Sequence, residues 1–286
     1  MNAASERDGE NGVGLVTLES PFLRVEVAPA IGGRIVSVVD RRSGRNLLWR
    51  NPSLPLGPLP AGSPYDPNFY GGIDELLPND IPETICAVEC PDHGELWTLP
   101  LEAERAGDHL QLRGVLPRFG LEYVRDMWLS QEDSRIEFAY CITNRASGLR
   151  AFLWKLHAAL AVEPGDRIEC PAAHARVVDP AWSRRKTLTP FAWPNIEGES
   201  VDTVPVADGT VDFFYLYDLV EGRMGLRSPN RNMEFVYEFD PTVFRCAWLF
   251  ASYGGFDGHY TVILEPCTAM PISVNEAMKK GFCSML

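Results

Sequence analysis

Apolar and polar residues alternate along many short segments of this chain, and that period of two restricts it to folds built from β-strands. In Phe22–Val27 every second residue is apolar, and Arg135–Ile142 repeats the pattern. Turn signals such as Ser43-Gly44 and Asp208-Gly209 separate the runs. Many short strands of this kind predict an all-β fold, a large antiparallel β-sandwich or barrel. Further strand-like runs are Arg34–Val39, His109–Val115, Tyr123–Ser130, Ala151–Leu160, Val211–Leu219, Arg223–Leu226, Glu234–Phe239, Phe244–Phe250 and Tyr260–Leu264.

A single segment carries the start and stop signals of a helix. Ser273 and Glu276 form a capping box, in which each side chain bonds to the backbone of the other residue. Gly281 stands where a helix would end, since glycine readily adopts the left-handed conformation of that position. The pattern predicts a helix of about two turns over Val274–Lys280.

The domain organisation predicted from the sequence is simple. Residues 1–14 are polar and glycine-containing, which predicts a flexible tail. Residues 15–286 show no shift in composition that would mark a linker, so we expect one β-sandwich domain. Two long irregular stretches, Asn51–Pro82 and Ala181–Asp202, are candidate walls of a cleft, because long ordered loops are often functional.

Charge and cysteine content exclude several classes of function. The formal net charge is −13 and no run of Lys and Arg supplies a basic patch, so neither nucleic acid nor an anionic membrane is expected as a partner. The N-terminus lacks a basic region followed by an apolar stretch, and no apolar run reaches the roughly 18 residues that span a bilayer. Seven scattered cysteines then fit reduced thiols in a cytoplasmic protein.

Three segments place a titratable residue among apolar or aromatic neighbours near the end of a predicted strand. They contain His93, in Cys90–Trp97, then His157, in Phe152–His157, and Glu265, in Val262–Pro271. Charged side chains are seldom buried without a partner or a purpose, which makes these residues candidates for a site. A histidine on an apolar strand can equally be a satisfied core residue, and a buried glutamate can simply accept backbone N–H groups.

At these residues the sequence resembles the galactose-mutarotase-like, aldose 1-epimerase-related family. The segment Val27–Ile35, followed by Ser43–Trp49, resembles the N-terminal hairpin of such proteins. Gly71–Glu75, the pair His93-Gly94 and the late pair Glu265-Pro266 follow in the family's order. The resemblance extends from Leu15 to the C-terminus and rests on the order and spacing of these motifs.

The resemblance implies a large antiparallel β-sandwich whose concave face binds a monosaccharide. It implies Glu265 as the base that takes the proton of the anomeric hydroxyl and His157 as the acid that protonates the ring oxygen. His93 would bind substrate as a second histidine, and Asp74 is the first candidate for the aspartate that holds the sugar, with Asp257 as the second candidate. The three residues His93, His157 and Glu265 are then expected to line one pocket. Histidine suits proton donation because it titrates near neutral pH, and the reaction requires no cofactor.

The substrate expected is an unphosphorylated sugar. Sugar-phosphate mutarotases carry an arginine just after the first His-Gly pair, whereas this chain has Glu95–Trp97. Trp97, Trp154 and Trp248 are candidates for stacking on a sugar ring, although each can instead be a core residue.

Other functions compete with the enzyme. A non-catalytic carbohydrate-binding protein on the same fold is the main alternative, since one fold hosts many functions. An accessory module of a polysaccharide lyase or hydrolase ranks below it. Cys86, Cys90 and His93 resemble part of a zinc site, but a fourth ligand is missing from the sequence pattern, so no metal is predicted.

Overall fold

A computed structural model describes residues 6–8 and 12–286 of the chain. These residues form two compact units, one made of the chain up to Phe152 with Met285–Leu286, the other made of Leu153–Ser284. Most of the predicted tail, residues 1–14, lies outside the described residues, and the expectation of one domain stays a prediction.

The first unit consists of antiparallel sheets. Its larger sheet has the order β1-β2-β3-β4-β6, with β5 also paired to β4, and a second sheet has the order β12-β11-β10-β9. Strands β7 and β8 form a hairpin, and two 3₁₀ turns span Asp66–Asn68 and Leu96–Thr98. The strands are β1 (Glu6–Asp8), β2 (Gly14–Glu19), β3 (Leu23–Ala28), β4 (Arg34–Asp40), β5 (Arg45–Asn46), β6 (Ile73–Leu76), β7 (Glu83–Ile85), β8 (Val88–Cys90), β9 (Glu102–Ala106), β10 (His109–Val115), β11 (Leu121–Leu129), β12 (Ile136–Asn144) and β13 (Ala151–Phe152).

The second unit is built on the sheet order β14-β24-β23-β20-β16-β17. A smaller sheet has the order β15-β21-β22, and β18 pairs with β19. The elements are β14 (Lys155–Ala161), β15 (Arg167–Glu169), β16 (Ala172–Val177), β17 (Phe191–Ala192), β18 (Asn195–Ile196), β19 (Glu199–Ser200), β20 (Thr210–Leu219), β21 (Arg223–Ser228), β22 (Met233–Glu238), β23 (Cys246–Tyr253), β24 (Tyr260–Cys267) and the helix α1 (Val274–Lys279). The short strand β25 (Ser284–Met285) begins at the last residue of this unit.

The apolar residues of each unit pack where strand alternation places them. In the second unit Phe214, Leu249, Leu264 and Ala158 lie opposite one another on four neighbouring strands, and all four are fully buried. In the first unit a core cluster is formed by Val13, Leu15, Ala28, Ile31, Val36, Leu56 and Tyr70. Because side chains alternate across a strand, these four residues lie on one, apolar face of the second unit's sheet. The residues that alternate with them along each strand point to the opposite face.

Sequence and structure agree on the fold class, which is all-β with large antiparallel sheets. The helix is also confirmed, since Ser273 caps it by accepting the N–H of Glu276 at 3.2 Å. The predicted run Ala151–Leu160 differs, because it is two strands, β13 and β14. The backbone N–H of Trp154 lies between them and donates to the Thr268 hydroxyl at 2.9 Å, which interrupts the strand.

Candidate functional site

Asp74 in the first unit is a buried, ion-paired carboxylate. It is the second residue of β6, which begins directly after Gly71 and Gly72, and its side chain is 1% exposed. Arg34 Nη2 lies 2.7 Å from Asp74 Oδ2, and the Tyr65 hydroxyl donates to the same oxygen at 2.8 Å. Arg34 is itself fixed, since its Nη1 donates to the Gly71 carbonyl. This aspartate is therefore held in one orientation by two groups of its own unit.

The neighbouring Glu75 belongs to a separate network. Successive residues of a strand point to opposite faces, so Glu75 points away from the side on which Asp74 lies. Its Oε1 accepts from Arg125 Nη1 at 3.0 Å and from the Tyr140 hydroxyl at 2.9 Å. Both acids of the Gly71–Glu75 motif are thus buried and hydrogen-bonded within the first unit.

His93 follows β8 in a turn with a left-handed backbone, at φ of 56°. Its backbone N–H donates to the Asp80 carbonyl, and its imidazole Nδ1 lies 2.8 Å from Asp92 Oδ1. The next residue must be glycine, because a Cβ at Gly94 would lie 2.3 Å from the carbonyl oxygen of Leu77. The His-Gly pair is explained by this close approach of two backbone segments.

Tyr65 connects His93 to Asp74. Its ring stacks on the imidazole of His93, with centroids 4.0 Å apart and planes 9° from parallel. Its backbone N–H donates to Asp92 Oδ2 at 2.8 Å, while its hydroxyl donates to Asp74. Burial alone would raise the pKa of Asp92, but the hydrogen bonds from His93 and from the Tyr65 backbone outweigh it and lower that pKa.

In the second unit the strand register relates His157 to Glu265. Strand β14 pairs with β24 through Lys155↔Cys267 and Ala158↔Leu264, and the continuous register between these pairs places His157 opposite Glu265. Directly opposed residues on antiparallel strands have Cβ atoms about 4.5–5.5 Å apart and share a face. Trp248 on β23 lies opposite Glu265 on its other side. A histidine, a carboxylate and an indole thus form a row across three strands.

Lys155 lies beside this row on the same face of the sheet and was not singled out from the sequence. It precedes His157 by two residues on β14 and therefore shares its face. Its ammonium lies 2.7 Å from Glu265 Oε2 and 4.3 Å from the centre of the Trp248 ring, and the Lys155 and Glu265 side chains are 3% and 2% exposed. A lysine within the apolar run Phe152–Leu160 was the signal that could have indicated it, because lysine is rarely buried unless paired.

The three candidate tryptophans are all buried. Trp97 donates its indole N–H to the Asp92 carbonyl and meets the Tyr65 ring edge-on, with centroids 4.9 Å apart. Trp248 donates to the Ala269 carbonyl at 3.0 Å and is fully buried. Trp154 packs against Phe244, with ring centroids 4.7 Å apart. Their roles as sugar platforms stay predictions.

The first unit contains a small cavity beside Trp97 and Arg34. Its volume is about 210 Å³, below the range of roughly 300–1,000 Å³ typical of sites for drug-sized ligands. Arg34 contributes a buried guanidinium whose Nε has no hydrogen-bond partner among the described residues. The remaining lining residues are Ile31, Leu54, Pro55, Leu56, Gly57, Pro58, Leu59, Asn68 and Tyr70.

The described part of the chain shows neither a clustered set of metal ligands nor a membrane-spanning helix. Among residues 6–8 and 12–286, no group of three or more His, Cys, Asp or Glu side chains is arranged to hold a metal ion. Within that described portion, no helix is both long and apolar enough to cross a bilayer.

The chain is similar to known proteins in its structure and not detectably in its sequence. No family model matches the sequence, and no curated protein matches it. Solved structures do match: the Slr1438 protein from Synechocystis sp. PCC 6803 has a TM-score of 0.71 at 17% identity, over 100% of this chain and 94% of that one. A candidate aldose 1-epimerase from Escherichia coli K12 has a TM-score of 0.71 at 16% identity, over 95% and 93%. A galactose mutarotase-like protein from Lactobacillus casei ATCC 334 has a TM-score of 0.62 at 16% identity, over 90% and 89%.

These matches define the class of fold. The chain has the architecture of large antiparallel β proteins, and the agreement extends over nearly its whole length. More specifically, it has the galactose-mutarotase-like β-sandwich fold, as the motif order in the sequence predicted. At these identities the likeness concerns the fold alone.

Proposed function

We propose that the protein interconverts the anomers of an unphosphorylated aldose by acid–base opening of the sugar ring. The observation that supports this most is the pairing of His157 with Glu265 across two neighbouring strands. The fold supports it as well, because the solved structures that share it include proteins named for this activity. In this proposal Glu265 and His157 are the catalytic residues, while His93 and Asp74 bind sugar hydroxyls.

The reaction needs one base and one acid that act together. Glu265 takes the proton from the hydroxyl on C1, and His157 gives a proton to the ring oxygen as the bond between C1 and that oxygen breaks. The product is the open-chain aldehyde, which rotates about the bond between C1 and C2 and closes by the reverse proton transfers. Concerted transfer avoids a free alkoxide and a free oxonium. The reverse transfers on ring closure return Glu265 and His157 to their starting protonation states, and no cofactor is required.

Lys155 favours a second candidate, a carbohydrate-binding protein without activity. Its ammonium lies 2.7 Å from Glu265 Oε2, so this carboxylate is already engaged in a buried ion pair within its own unit. A polar, hydrogen-bonding face of this kind can bind sugar hydroxyls without performing chemistry. The two candidates differ in whether anomer exchange is accelerated at all.

The test is anomer exchange followed by NMR for a panel of aldoses, with and without the protein. We expect acceleration for at least one sugar, reduced about 10²–10⁴-fold by Glu265→Gln or His157→Asn, because each removes one proton transfer. The amide oxygen that Glu265→Gln introduces can still accept from Lys155, and thermal denaturation checks that each variant is folded. His174→Asn, at an exposed position of β16, is the matched control and should leave the rate unchanged. Sugar binding without acceleration by the wild type would support the binding protein instead.

A further inference from the structure

The pair Asp92 and His93 has the geometry of a histidine whose tautomer is fixed by a carboxylate. An ionised carboxylate only accepts hydrogen bonds, so the proton in the 2.8 Å contact belongs to His93 Nδ1. The other ring nitrogen, Nε2, is then left without a proton when the imidazole is neutral.

Asp92 is itself held firmly enough to impose this orientation. Its second oxygen accepts the backbone N–H of Tyr65 at 2.8 Å, and its own carbonyl accepts the indole N–H of Trp97. The Tyr65 ring lies parallel to the imidazole and covers one of its faces. The ring of His93 is therefore constrained at Nδ1 and on one face, within the first unit alone.

We infer that Asp92 is a positioning residue, which sets the Nδ1–H tautomer of His93 and so presents Nε2 to a sugar hydroxyl as its hydrogen-bond acceptor. The inference rests on the proposed function for its substrate, but the tautomer is a property of the protein by itself. The sequence pattern indicated neither Asp92 nor Tyr65. An aspartate before a His-Gly turn is unremarkable, and Tyr65 is distant from His93 in the sequence.

The chain contains a matched pair for comparison. His174 Nδ1 lies 2.8 Å from Asp218 Oδ2, the same separation, but these side chains are 52% and 63% exposed. The corresponding exposures at His93 and Asp92 are 18% and 28%. Asp218→Asn therefore makes the same chemical change at a histidine that the proposed reaction does not use.

The experiment is long-range ¹H–¹⁵N correlation NMR on protein labelled at its five histidines, combined with the anomer-exchange assay. In the wild type we expect His93 as the Nδ1–H tautomer, assigned by its loss in His93→Gln. Asp92→Asn should shift it towards Nε2–H and slow exchange by about tenfold, as much as His93→Gln does, because loss of one hydrogen bond of typical strength changes a rate by about that factor. The double variant should be no slower than either single variant, because Asp92 acts through His93.

The outcomes separate this inference from the proposed function. Asp218→Asn should change only the signals of His174 and leave the rate within about twofold of wild type. An Nε2–H tautomer in the wild type, or an Asp92→Asn variant that keeps the full exchange rate, overturns the role of Asp92. A wild type that accelerates no sugar overturns the proposed function, whereas the tautomer spectra still decide whether Asp92 orients His93.

Discussion

Removing the ammonium of Lys155 should destabilise the second unit strongly, because it leaves the carboxylate of Glu265 buried without its counter-charge. At an effective dielectric constant of about 20, opposite unit charges 2.7 Å apart attract by roughly 6 kcal/mol. Desolvation of both groups offsets part of this attraction, and loss of one partner from a buried pair costs about 3–5 kcal/mol. Contact of the ammonium with the Trp248 ring is lost as well. We therefore expect Lys155→Met to lower the free energy of unfolding by about 3–5 kcal/mol.

The assay is urea denaturation of Lys155→Met, Glu265→Met and the double variant. The double variant should be far more stable than the sum of the single losses implies, since replacing a whole buried ion pair by apolar residues is often neutral. Lys279 and Glu276 provide the matched control, with the same 2.7 Å separation but 69% and 50% exposure, so Lys279→Met should have little effect. A Lys155→Met loss below about 1 kcal/mol, or additive losses in the double variant, would refute the reasoning.

Three further predictions concern the neighbourhood of His93 and the thiols. Folding lowers the pKa of Asp92, so its stabilising contribution is present above its ordinary value near 4 and is lost as the pH falls below that value. Asp92→Asn should be less stable than wild type at pH 6, and the gap in urea midpoints should narrow as the pH falls below about 4. Burial raises the pKa of the Cys90 thiol to about 12, so iodoacetamide at pH 8 should label the exposed Cys141 first and Cys90 only on unfolding, as read by mass spectrometry. Gly94→Ala should destabilise more than Gly107→Ala, because both have positive φ but only the first brings a Cβ within 2.3 Å of a backbone oxygen; equal losses in thermal denaturation would contradict the steric argument.

The fold was predictable wherever side-chain alternation is strong. Strand β10 has the predicted bounds, and β20 and β22 begin one residue earlier than predicted. Strand β9 was missed because its sequence, Glu102–Ala106, consists of good helix formers. It is a strand because it pairs with β10 through residues such as Arg113, and pairing outweighed local propensity.

The site residues that local sequence signals indicate could be predicted, whereas those defined by contacts between distant segments could not. The histidines and Glu265 could be found because each interrupts an apolar run or forms a motif. Tyr65 could not, since 28 residues separate it from His93 and the stacking of their rings exists only in the folded chain. The pairing of Lys155 with Glu265 required the register of β14 against β24, which the sequence does not specify.

Tyr65 lies in an irregular segment, and its two hydrogen bonds, to Asp92 and to Asp74, link the conformation of that segment to the affinity for a ligand that contacts His93. A molecule in which that segment opens loses the backbone bond to Asp92 and the bond to Asp74 together, and with them the support of the His93 ring. The apparent dissociation constant for any ligand that needs His93 oriented is the intrinsic constant divided by the closed fraction. Opening in about half of the molecules would weaken binding only twofold, but opening in about 99% would weaken it about a hundredfold. Sequence changes around Tyr65 could therefore tune affinity over that range without altering any residue that contacts the ligand.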